Sequence, residues 1–79
     1  MYPGITRVQP TDDYELILYF DNQEEKVFDV KPILSFGRFC ELKDLATFKK
    51  VHVSFDTVEW ENGLDLDPEY LYEKSKKTA

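Results

Sequence analysis

The residues of this sequence best suited to chemistry are the carboxylates Glu59, Glu61, Asp65 and Asp67, the densest acidic cluster in the chain. Clustered carboxylates bind divalent cations, and a pair in unlike environments can serve as general acid and base. A calcium loop, however, needs oxygen ligands at alternate positions before its glycine. Ahead of Gly63 those positions hold Val58, Trp60 and Asn62. A solvated strand edge ending in a helix-capping Asp67 accounts for the same residues, and that reading is adopted here.

Cys40 and His52 are the other reactive types, and each is the only one of its kind. A closed zinc site usually takes four Cys or His ligands, so these two cannot build one. A Cys–His nucleophile pair would require their contact in space, which sequence does not establish. His52 alternates with Val51 and Val53 and is expected to face solvent. Cys40 is expected to be a small buried hydrophobe. Gly4, Gly37 and Gly63 are too scattered for a phosphate-cradling loop. Ser35, Ser54 and Ser75 lack a glycine elbow. No catalytic, cofactor or metal residue is assigned.

The elements that must position these residues follow from periodicity. Ile5 to Pro10 reads as a first strand with Val8 inward, ended by Pro10 and the turn residues Thr11, Asp12 and Asp13. Tyr14 to Phe20 is the clearest strand: Tyr14, Leu16, Leu18 and Phe20 share the core face. Ile17 and Tyr19 make its other face partly apolar, to be covered by a helix, a loop or another subunit. Asp21 to Glu24 is a polar break of hairpin length, and Glu25 to Val30 returns antiparallel with Phe28 and Val30 on one face and Val27 on the other. Lys31-Pro32 closes that strand.

From Ile33 to Lys50 alternation is lost, and Ile33, Leu34, Phe36, Phe39, Leu42, Leu45 and Phe48 recur at spacings of about two to three. This predicts helical turns over Pro32 to Ser35 and Arg38 to Leu42, with a bend at Gly37 between them. A third piece runs from an N-capping Asp44 to Lys50. Val51, Val53 and Phe55 alternate with His52 and Ser54 as a fourth strand. Asp56-Thr57 is its turn, and Val58 to Trp60 is a fifth strand. Asn62-Gly63 is the strongest turn dipeptide, since both residues tolerate positive φ. Asp67-Pro68 opens a final helix carrying Tyr70, Leu71 and Tyr72. The expectation is one α+β domain over residues 1–75 with a frayed basic tail over 76–79. Its small, mostly antiparallel sheet has about five strands, with short helices between strands 3 and 4 and at the C-terminus.

At 79 residues the chain is one domain with a modest core, and its single cysteine excludes an internal disulfide. That cysteine usage, the lack of a signal-peptide pattern and the lack of a long apolar run point to the cytoplasm and away from membranes. A hydrophobic fraction of 42%, with aromatics at 15%, argues against disorder. The net charge of −6 disfavours contact with a phosphate backbone, so direct nucleic-acid binding is not expected. Lys74, Lys76 and Lys77 are read as a solvated terminus.

Several segments together carry a family resemblance: Met1-Tyr2-Pro3, Asp13-Tyr14, Phe20-Asp21-Asn22, Phe28-Asp29-Val30-Lys31-Pro32, Gly37-Arg38-Phe39 and Leu42-Lys43-Asp44 with Phe48. The most specific is the closing run from Val58 through Trp60, Asn62-Gly63 and Asp65-Leu66-Asp67-Pro68 to Tyr70-Leu71-Tyr72. Over nearly its whole length the sequence resembles the bacterial "domain of unknown function 2442" family. The resemblance implies a small α+β fold, which some relatives join to a helix-turn-helix domain. It also implies, for some members, a neighbouring small protein of family 4160 in a pairing like a toxin–antitoxin module. It transfers no catalytic residue. This sequence ends near Ala79 without a helix-turn-helix, so direct regulation of DNA is not expected.

The functional expectation is a non-enzymatic protein-binding module, of which the antitoxin-like half of a two-protein pair is the most specific form. The alternative is a sensing or dimerising unit that acts with a separate DNA-binding protein. The candidate interaction surface is Ile17, Tyr19, Val27, Trp60, Asn62, Asp65 and Tyr70, with a second copy of the chain as another candidate partner. Trp60 lies on the strand face of Val58, and burial is favoured for it. If buried, its indole N–H needs an acceptor such as a backbone carbonyl.

Overall fold

The computed structural model describes residues 2–78. The chain opens with a meander: β1 (Ile5–Pro10), β2 (Glu15–Phe20) and β3 (Glu25–Asp29) pair antiparallel. Leu16, Leu18 and Phe20 of β2 are buried, as their alternation predicts. Thr11 Oγ1 accepts hydrogen bonds from the N–H groups of Asp13 and Glu15 at the first turn. Asn22 Oδ1 accepts from the Glu24 N–H at the second. Tyr14 sits in the first turn at φ 59, one residue ahead of the strand in which it was expected, and packs against the core from there.

After β3 the chain makes a 3₁₀ turn at Lys31–Ile33 and a longer 3₁₀ stretch over Gly37–Lys43. The single helical turn α1 (Leu45–Phe48) follows. Asp44 caps α1 as expected, its carboxylate accepting from the Thr47 N–H at 3.3 Å. The helix ends at Phe48 and does not reach Lys50. Lys49 instead forms an ion pair with Asp12.

The strands form two sheets, not the predicted single sheet of about five strands. β4 (His52–Ser54), β5 (Thr57–Glu59) and β6 (Asp65–Leu66) form a separate three-stranded antiparallel sheet. The helix α2 (Pro68–Lys74) then leads to β7 (Lys76–Lys77), which adds to β3 as the fourth strand of the first sheet. Of the tail expected to fray, Lys76 to Thr78 are paired: Val27 faces Lys76, and the Thr78 N–H reaches Glu25 O at 3.4 Å; Ala79 lies outside the described residues. Two-residue strands carry no readable period, and periodicity does not name a strand's partner.

The core gathers both sheets and the helical segments. Leu16, Leu18, Phe28 and Val30 come from the first sheet side, Leu42 and Phe48 from the helical stretch, Val58 and Trp60 from the second sheet, and Leu71 from α2. Among the described residues no helix is long and apolar enough to cross a membrane.

Candidate functional site

The acidic cluster does not converge. Glu59 faces His52 across β4–β5, with His52 Nε2 3.2 Å from its carboxylate, and faces Asp65 across β5–β6. Glu61 lies exposed at the following turn, and Asp67 stands at the N-cap of α2 without making a side-chain cap hydrogen bond. Among the described residues no three His, Cys, Asp or Glu side chains are grouped to hold a metal ion. His52 is exposed, as its alternation predicts. Cys40 is also exposed, against expectation, because the 3₁₀ stretch presents Leu42 inward and turns its neighbours out.

The candidate interaction residues fall in different places. Ile17, Tyr19 and Val27 share the outer face of the first sheet, where Ile17 and Val27 are direct cross-strand partners and all three are half-buried. Arg7 and Glu25 pair across from Tyr19 and Lys76 across from Val27, and the Arg7 guanidinium stacks 5.0 Å over the Tyr19 ring. Trp60 is 1% exposed and belongs to the core, its indole N–H donating to Phe48 O at 2.9 Å. Asn62 works within the fold. Its amide donates to Glu41 Oε1 at 2.9 Å, its side-chain oxygen accepts from the Leu64 N–H, and its carbonyl accepts from Arg38. Glu41 is held below the usual carboxylate range by that Asn62 hydrogen bond first and by Arg38 second.

Asp65 and Tyr70 do come together, at an open groove of about 610 Å³. Its floor and walls are Ile33, Phe36, Phe39, Leu66 and Tyr70, with Asp65 and Asp67 on the rim. The two 3₁₀ segments supply Ile33 and Phe39, the link between them Phe36, β6 the leucine and α2 the tyrosine. Tyr70 is steadied by an edge-on contact with Phe28, their ring centroids 5.7 Å apart. Phe36 is 65% exposed although the apolar run from Ile33 marks it for the core. Phe36 lies between the two 3₁₀ segments in extended backbone (φ -104, ψ 116), so the three-residue spacing from Ile33 does not hold it on the inward face. No sequence signal separates Phe36 from its buried neighbours.

The arrangement is apolar with carboxylates at one edge, and it sets no nucleophile beside a base. Such a surface can bury an apolar side chain and attract a positive charge. Comparison with known proteins adds one relationship: the family model described as "Protein of unknown function (DUF2442)" matches residues 5–77. No curated protein and no solved structure matches the chain.

Proposed function

The chain belongs to the DUF2442 family of proteins of unknown function, and on its own geometry we propose that it is a non-enzymatic protein-binding module. Its groove between the 3₁₀ segments, β6 and α2 receives an apolar segment of a partner protein. The observation that carries this reading is Phe36, a large apolar side chain left mostly in water at the mouth of a groove already lined by Phe39, Leu66 and Tyr70. Buried aromatic anchors contribute most of the energy at protein interfaces, and clustered exposed ones mark where a partner sits. The role fits the antitoxin-like half of a two-protein pair. The exposed free thiol of Cys40 suits a reducing compartment, which supports the cytoplasm.

Substitution at the groove tests the reading. Tagged protein with Phe36→Glu should lose a stoichiometric partner that the parent and an Ile17→Glu variant retain from native lysate at low salt. Phe36 makes little use of the core, so circular dichroism should show an unchanged fold. Equal retention by Phe36→Glu would end the groove reading. Loss with Ile17→Glu alone would move the interface to the outer face of the first sheet, where light scattering would then test pairing of two copies.

A further inference from the structure

Phe55 occupies a position that folding does not require of it. It is the first residue of the two-residue turn between β4 and β5 and is 98% exposed. Phe55 and Asp56 have φ 49 and 68, the positive pair of a type I′ turn, for which asparagine and glycine are the favoured residues. An aromatic side chain here adds backbone strain and gains no burial within the chain.

The turn is held firmly. Asp56 O accepts the Ile5 N–H at 2.9 Å, and the Asp56 side chain lies so close over Gly4 that a Cβ there would stand 3.0 Å from it. Between this turn, residues 2–4 and the start of α2 lies a hollow of about 400 Å³. Tyr2, Pro3 and Phe55 give it apolar walls, and Asp21, Asp56, Asp67 and Glu69 surround it with carboxylates. No lysine or arginine lines it, and none of the ion pairs among the described residues uses any of these four carboxylates. Asp67 borders both this hollow and the groove, so one extended segment can reach both.

We propose that the hollow beside the Phe55–Asp56 turn receives a lysine or arginine side chain of the protein segment that occupies the groove. The inference rests on the groove reading for its occupant. Charge complementarity selects the ligand: carboxylates without internal cations attract a positive group, and aromatic faces stabilise it. Phe55 then supplies one wall, which accounts for a phenylalanine where the turn itself favours asparagine.

The test is titration of the ¹⁵N-labelled full chain with N-acetyl-arginine amide and with its neutral isostere, N-acetyl-citrulline amide. The arginine compound should shift the amides of Gly4, Phe55, Asp56 and Glu69 saturably, and the citrulline compound should not. Asp56→Asn with Asp67→Asn should weaken the arginine compound about two- to fivefold, the scale of an exposed ion pair. Phe55→Asn should weaken it as well while the fold is kept. Equal shifts from the neutral isostere, or none from the arginine compound, would overturn the inference. N-acetyl-leucine amide in the same experiment reports on Phe36, Phe39, Leu66 and Tyr70, so a failure of the groove reads out separately from a failure of the hollow.

Discussion

Lys26 Nζ donates to the backbone carbonyl of Tyr72 at 2.6 Å and lies 3.9 Å from the centroid of the Tyr72 ring. The lysine comes from β3, on the face that carries Phe28, and is only 8% exposed. Its ammonium reaches the last turn of α2, where carbonyls lack intrahelical donors and the helix dipole favours a cation. A buried lysine thereby ties the final helix to the first sheet. Lys26→Met keeps the apolar stem and removes the donor, and should cost about 1–3 kcal/mol in urea unfolding with little change in slope. Lys26→Ala should cost more, since the stem is lost as well. Parent-like stability in both variants would contradict this role.

Trp60 provides a second check on the core. Trp60→Phe leaves the Phe48 carbonyl without its donor and opens space between the second sheet and α1, at an expected cost of about 2–4 kcal/mol. As the only tryptophan, Trp60 also reports on the parent protein. Its native emission should be blue-shifted and resist acrylamide quenching, then shift to the red on unfolding. Quenching as efficient as that of free tryptophan would show the indole in water.

Stability should fall at both pH extremes. Hydrogen bonds from the Tyr72 hydroxyl to Glu24, and from the Asn62 amide to Glu41, hold both carboxyls below their ordinary pKa of 4.5. Each contributes stability above that value, which is lost as the pH falls through the lower folded-state value. At the other extreme, the Tyr72 hydroxyl is raised from 10.0 by its bond to Glu24, and the Tyr2 hydroxyl is pushed up to about 12, chiefly by its bond to Glu73. Their contribution is complete below pH 10 and is lost as the pH rises through the folded-state values. Urea midpoints across this range should show a plateau with falling limbs, both shallow because these groups remain near water. Glu24→Gln should flatten the acid limb, and Tyr72→Phe the alkaline one.

Phe55→Asn should raise stability by about 0.5–1 kcal/mol, because asparagine accepts positive φ and no buried contact is removed. Thermal unfolding measures it. A variant less stable than the parent would mean that the Phe55 ring supports the fold, which would undercut its assignment as a wall of a binding site.

The sequence by itself determined the local elements. Alternation in Leu16, Leu18 and Phe20 marked β2, the Asp44 cap marked α1, Pro68 marked the start of α2, and Asn62-Gly63 marked a turn. Each is a signal confined to a few neighbouring residues, because backbone conformation and side-chain period are local properties. The β2–β3 hairpin was legible as well, but only the tertiary structure decided how the other strands pair, and so divided them between two sheets. It also set Lys26 beneath Tyr72, left Phe36 and Cys40 in water, and drew Asp65 and Tyr70 together at one groove while sending Trp60 to the core. The difference lies in range. Whether a lysine or a phenylalanine is buried depends on what another segment, distant along the chain, lays over it, and no spacing within its own segment records that contact.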